Sequence, residues 1–343
     1  MIITLCGTVV ENDGVFPGRI SIENGVIKSF RRDNIPRGVV GRLMSYGEYE
    51  GKSGVPEFLI FPGFVDLNSQ SPERLAAWSG GITSLMQHGV NINTGDYADN
   101  HALNAVLKEQ THVVFNWQDP TKLSKMPGDL GCEIEGVRTA VTKTKVFNLN
   151  SRVVISTVAS LKLIQQARKD GFKIWSEIHP INLYFDTSMI TAENKNSLQT
   201  SPPLRSPEDR KGLLDEMIKG NIDFLASGHA PYMLSEKKSG VPELDTFGSL
   251  VAWLITEGVP PETIFKMACL NPSLWVDSDS VGRIQEGFRA NITVVAFNKP
   301  AIDSRQLYTQ CGWSPYDIRY LKGSVEMVIL EGEKVVDRQW VAS

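Results

Sequence analysis

Glu177 and His179 stand two residues apart in the run KIWSEIHP, so on a strand both side chains leave the same face. A carboxylate beside an imidazole can orient a proton acceptor or supply two ligands to a metal ion. His229 lies in ASGHAPY, just past the apolar run IDFLAS. It reads as a catalytic imidazole or as a hydrogen-bonding residue at a strand end. Asp66 ends the apolar run FLIFPGFVD and reads as a base or as a strand-end carboxylate bonded to nearby backbone. His88 closes ITSLMQH and can join His229 in binding an anion. His101 and His112 read as surface or helix-end residues. These five are all the histidines of the chain, and that scarcity limits any metal site. Asn68, Gln70, Asn91 and Asn182 can line a pocket for an uncharged ligand; a hydrated cluster without a ligand is an equal alternative. Ser201, which opens SPPLR, is a further ligand-binding candidate.

The elements that would position these groups alternate along the middle of the chain. Ile82 to His88, His112 to Trp117, Lys173 to Ile178 and Ile222 to Ser227 read as strands. Ala98 to Gln110, Leu161 to Lys169, Ser206 to Lys219, Gly248 to Glu257 and Pro261 to Ala268 read as helices. Ser206 followed by Pro207 is a strong helix start, a capping hydroxyl before a proline in the first turn. Strand–helix alternation implies a parallel sheet flanked by helices. FLIFPGFVD is apolar almost throughout, as a strand buried on both faces is. Both chain ends are strand-rich instead. Asn24-Gly25 supplies the positive-φ pair of a tight hairpin, and Glu331-Gly332 marks another.

Composition narrows the function classes. Hydrophobic residues make up 41% and charged residues 22%, as in ordinary globular proteins. A net charge of −4 gives no attraction to nucleic acid or to an anionic membrane. The four cysteines are far apart and form no CxxC pair, which points to reduced thiols and a cytoplasmic protein. MIITLCGTVV lacks the basic start of a signal peptide and reads as a strand.

Five segments carry a resemblance to the cyclic amidohydrolases, and to dihydroorotase in particular. FLIFPGFVDLNSQ is similar to the family's first barrel strand, PGF-(I/V)-D-L-H-x-H. GGITSLMQHGVN resembles its GGVTT segment. ISTVASLKLIQQARKDGFKIWSEIHPINLYFD is similar to its V-S-T-A-E-S … T-P-H-H-L stretch. SPPLRSPEDRKGLLDEMIKGNIDFLASGHAPY resembles N-P-P-L-R … T-D-H-A-P-H. GRIQEGFRANITVV is similar to the segment that returns the family's chain to its terminal β-sandwich, with Asn291 at the family's Asp. The resemblance implies an amidohydrolase-type (β/α) TIM-like barrel over residues 56–281. It implies a small β-sandwich built from residues 1–55 and 282–343.

The departures fall on the chemistry. The two metal-binding histidines of the first strand are Asn68 and Gln70 here. The His opening V-S-T is Val154, and the P-H-H-L pair is Ile181 and Asn182. The family's catalytic Asp before H-A-P is Gly228, its final His is Tyr232, and the substrate-holding Arg has no counterpart in Ser71-Pro72-Glu73. Lys145 is the match to the family's bridging lysine, and Glu177 and His179 are weak metal candidates beside it. Zinc is the family norm, but carboxamides replace imidazoles poorly at such a site. No cofactor is therefore expected, and Asp66, Asn68, Gln70, Asn182, Gly228 and His229 are expected to be vestiges rather than catalysts. Lys143–Leu149 and Arg152–Thr157 both read as strands, separated by only two residues. Parallel neighbours need about a dozen residues or more between them. Set against the family, this gap reads as the loss of about one βα unit, leaving an incomplete or irregular barrel with an exposed edge near Leu149.

The resemblance thus points to a non-catalytic dihydroorotase-like protein, a structural partner of aspartate transcarbamoylase or of itself. Two alternatives stand beside it: a cyclic-amide hydrolase using a rearranged site, and a module that binds a pyrimidine-like ligand without reacting it.

Overall fold

The computed structural model describes residues 2–32, 58–71, 73–86, 90–93, 107–108, 110–116, 130–236, 238–300, 307–316 and 321–338. The chain forms two compact units, Met1–Met86 with Ser227–Ser343, and Gln87–Ala226.

The first unit holds a seven-stranded sheet. Its strands are β1 (Ile2–Glu11), β2 (Gly14–Glu23), β3 (Val26–Arg31), β4 (Phe58–Pro62), β12 (Ile292–Pro300), β13 (Lys322–Leu330) and β14 (Glu333–Asp337), in spatial order β14-β13-β12-β4-β1-β2-β3. Both hairpin turns expected from the sequence are present, with Asn24, Gly25, Glu331 and Gly332 all at positive φ. The two turns meet. A Cβ on Gly25 would come within 2.9 Å of the Glu331 carbonyl oxygen, so glycine is required there on two counts. Asn291 fixes this corner by accepting from the Glu331 N–H through Oδ1 at 2.9 Å. Leu5, Ile20, Ile22, Ile60, Ile292, Val294 and Ile329 fill the core beneath.

The apolar run that ends at Asp66 is two strands, not one. At Gly63 it leaves β4 and enters β5 (Phe64–Asp66), which pairs in parallel with β6 (Ile82–Leu85). A side chain at Gly63 would collide with Thr83 at 2.2 Å. All eight residues of the two strands are buried, as their composition implies. Phe64 stacks its ring 5.5 Å from both Phe61 and Phe247, so it ties β4 to the helix Phe247–Thr256.

The second unit holds a five-stranded parallel sheet: β7 (Val90–Asn93), β8 (His112–Asn116), β9 (Asn150–Val154), β10 (Ile174–Ile178) and β11 (Phe224–Leu225), in order β11-β10-β9-β8-β7. The helix at 207 begins as its sequence requires, with the Ser206 side chain accepting from Asp209 N–H. The helix Val158–Lys169 is capped in the same way by Thr157.

One sequence expectation is corrected here. Lys143–Leu149 is not a strand; it is the end of an 18-residue helix, Leu130–Phe147, and the turn after it. That helix is the crossover between β8 and β9, which are direct parallel neighbours. β9 also pairs with β10 on its other side. The exposed edge expected near Leu149 therefore does not exist: Leu149 is buried, and its N–H donates to the Thr144 carbonyl. Ala98–Gln110 lies almost entirely outside the described residues.

Candidate functional site

In the first unit the site residues gather where β5 ends and the segment after β11 passes beside it. Ser69 and His229 form a parallel bridge, and His229 bridges onward to Val241. Gln70 N–H donates to the His229 carbonyl at 2.9 Å. Asp66 is 1% exposed, and its carboxylate is held by Ser227, N–H to Oδ1 at 2.8 Å and Oγ to Oδ2 at 2.7 Å. The expectation of a strand-end carboxylate bonded to neighbouring backbone describes Asp66 as found. Gln70 is exposed, and its Oε1 accepts from Tyr232 Oη at 2.5 Å. Gly228, at φ +63, brings no side chain to this cluster.

His229 is wholly buried. The backbone N–H groups of Glu243 and Leu244 both donate to its Nδ1, at 3.1 and 3.2 Å. Nδ1 therefore carries no proton, and the neutral ring holds its hydrogen on Nε2. Among the described residues Nε2 has no hydrogen-bond partner, and it lies 3.9 Å from Glu73 Oε1. Burial disfavours the imidazolium and pulls the His229 pKa down to about 3. The ring is a fixed neutral donor, not a base for neutral pH.

In the second unit, Glu177 and His179 do share a site. His179 Nε2 lies 3.1 Å from Glu177 Oε1, while Glu177 Oε2 meets Arg152 Nε at 2.7 Å. Arg152 and Glu177 are almost completely buried, and His179 is 5% exposed. Asn182, in the short helix after β10, donates to the Pro203 carbonyl at 3.4 Å, and its buried Oδ1 has no hydrogen-bond partner. Val154 occupies the end of β9. Ser201 is exposed in a loop, before a cis Pro202. Lys145 is exposed in the last turn of the helix Leu130–Phe147, with Nζ 5.6 Å from the Phe172 ring. His88 and His101 lie outside the described residues, and nothing is described of the Asn91 side chain. His112 opens β8 beside Thr111.

A third cluster has no signature in the sequence. Glu133, wholly buried, accepts from the N–H and Oγ of Ser156, the N–H and Oγ1 of Thr157, and Arg205 Nη2, all between 2.5 and 3.1 Å. It joins the crossover helix to two of the family-like stretches, at the S-T pair and the P-P-L-R loop.

Zinc chemistry does not fit what stands here. Asn68, Gln70 and Gly228 offer no imidazole or carboxylate in the first unit, and Val154 and Asn182 offer none in the second. Among the described residues, no group of three or more His, Cys, Asp or Glu side chains is placed to hold a metal ion. No described helix is long and apolar enough to cross a membrane.

No family model matches the chain. Among curated proteins, it is 29% identical over 211 residues to a dihydroorotase of Pyrococcus furiosus, covering 60% of this chain and 49% of the relative. It is 25% identical over 266 residues to a dihydroorotase of Pediococcus pentosaceus, covering 75% and 57%. The chain spans about half the length of the curated relatives it matches. Among solved structures, a dihydropyrimidinase from Brevibacillus agri superposes with a TM-score of 0.79 at 14% identity, over 99% of this chain and 96% of that one. An L-hydantoinase from Arthrobacter aurescens gives 0.79 at 16%, over 98% and 96%. These likenesses show the fold, an α/β TIM barrel of the amidohydrolase type. In sequence the chain is similar to curated dihydroorotases, and in fold to dihydropyrimidinase and hydantoinase, all of them cyclic amidohydrolases.

Proposed function

We propose that this chain is a non-catalytic dihydroorotase-like protein that works as a structural partner, with aspartate transcarbamoylase as the companion enzyme. The observation that carries the reading is the state of Asp66 and His229. These are the groups of the first unit's site best suited to chemistry, and both are occupied in holding backbone. Hydrolysis of a cyclic amide needs a cation that lowers the pKa of a bound water and a base that takes its proton. The residues at the ligand positions offer neither. The test is direct. The purified chain, loaded with zinc and supplied with dihydroorotate, gives no turnover above background and retains no stoichiometric zinc after desalting. Sedimentation with aspartate transcarbamoylase gives a complex. Turnover with one or two zinc ions per chain would overturn the non-catalytic reading; separate sedimentation would overturn the partnership.

One observation favours a second reading, a hydrolase with a rearranged site. The Glu177–His179 pair has the geometry of a base and its orienting carboxylate. Under that reading His179→Ala removes a measurable cyclic-amide hydrolysis; under the first there is none to remove.

A further inference from the structure

Three carboxylates around His229 are bound by one short stretch of chain, residues 307–316, which lies in the excursion between β12 and β13. Asp245 accepts from the N–H of Tyr308 at 3.0 Å, from the N–H of Thr309 at 2.9 Å, and from Thr309 Oγ1. Glu73 accepts from Gln310 N–H at 2.7 Å. Glu243 accepts from Tyr316 Oη. Trp313 Nε1 adds a bond to the Tyr232 carbonyl at 2.8 Å. Two of these carboxylate residues also neighbour the His229 ring: Glu73 Oε1 lies 3.9 Å from Nε2, and the Glu243 N–H, with that of Leu244, donates to Nδ1.

The way this stretch is attached differs from the way the rest of the unit is built. Of its ten residues only Thr309 and Tyr316 are buried, and both are there to donate to a carboxylate. Tyr308 is 53% exposed. The hold is a row of hydrogen bonds to carboxylates and one carbonyl rather than a buried apolar face. Segments with few buried apolar contacts open locally at a free energy well below that of global unfolding. One carboxylate that the stretch holds, Glu73, lies 3.9 Å from His229 Nε2, a buried donor without an acceptor among the described residues. Such a group is uncommon in a native interior and calls for an explanation.

We infer that residues 307–316 are a polar strap over His229, which lifts as a unit and exposes the Nε2–H beside the Glu73 carboxylate. The buried donor is then idle only while the strap is down. The inference does not depend on whether the chain is catalytic.

Two exchange measurements on the whole chain test it, reading backbone amides and the slow exchange of the histidine C2 hydrogen. In the parent protein, the amides of Tyr308, Thr309 and Gln310 exchange at least about tenfold faster than those of β1 and β2, and His229 C2 exchange runs with them. Tyr316→Phe and Thr309→Val each remove one clasp. Each speeds exchange at 308–310 and at His229 together by roughly tenfold, leaving β1 and β2 unchanged. If the strap amides of the parent are protected as strongly as β1 and β2, the strap does not lift and the inference fails. That arm needs no variant, so a variant that does not fold leaves the test intact. Faster exchange at 308–310 with His229 unmoved would also overturn it.

Discussion

Ser227 grips both oxygens of Asp66, through its N–H to Oδ1 and through Oγ to Oδ2, and so ties the segment after β11 to the end of β5. Asp66→Asn turns one of those acceptors into an NH2 group and takes away a charged acceptor, leaving the Ser227 hydroxyl only the longer bond to the Asn68 carbonyl at 3.2 Å. The expected loss is about 1–3 kcal/mol of unfolding free energy. Urea titration of parent and variant measures it, and a change below about half a kcal/mol would mean the grip contributes little.

Glu133 has the same character on a larger scale in the second unit. Glu133→Gln keeps the shape but leaves the Arg205 guanidinium, 7% exposed, without its carboxylate. Breaking a buried pair by removing one partner costs about 3–5 kcal/mol. Expression of the variant with a melting temperature equal to the parent would contradict this.

His229 makes stability depend on acid. Its folded pKa of about 3 lies below the ordinary imidazole value of 6.5, so the unfolded chain takes up the proton first. The contribution is fully present above 6.5 and is lost as pH falls from there toward 3, by up to about 1.4 kcal/mol per unit. His229→Asn abolishes that part of the slope. Urea titrations of both proteins at pH 7, 6 and 5 supply the comparison; parallel curves would show that the imidazole takes up its proton without resistance.

Gly80→Ala is expected to be severe for a reason unrelated to backbone freedom. Gly80 has an ordinary φ of −88°, but a Cβ there would lie 1.7 Å from the Leu244 carbonyl oxygen. Leu244 N–H is one of the two donors to His229, so the collision disturbs that ring as well. Overpacking of this kind costs about 3 kcal/mol or more. Calorimetry decides, and an alanine variant as stable as its parent would mean the approach is looser than the structure has it.

What could be read from the chain alone was mostly local. Ser206-Pro207, Asn24-Gly25 and Glu331-Gly332 declare their turns because one or two residues determine the backbone there. The role of Asp66 was also legible, since a carboxylate closing a buried strand has donors nearby. Lys143–Leu149 was misread because Val146, Phe147 and Leu149 favour a strand when taken as a short window. The longer pattern was available: Glu133, Val137, Ala140 and Thr144 recur at spacings of four, three and four, and all four are buried. The Glu133 cluster could not be seen. Its donors lie 23, 24 and 72 positions away, and nothing about a glutamate in a helix announces them.

The placing of β4 has a bearing on how the protein is made. It packs beside β1 with one ladder pair, Val9 with Ile60, but its ladder with β12 runs its whole length, from Phe58 with Ala296 to Pro62 with Ile292. A chain emerging from the ribosome thus carries an apolar five-residue strand whose chief companion is not yet synthesised. Until β12 has emerged, one edge of that strand is open to wrong pairing, so completing this part of the sheet is a late, non-local step of folding.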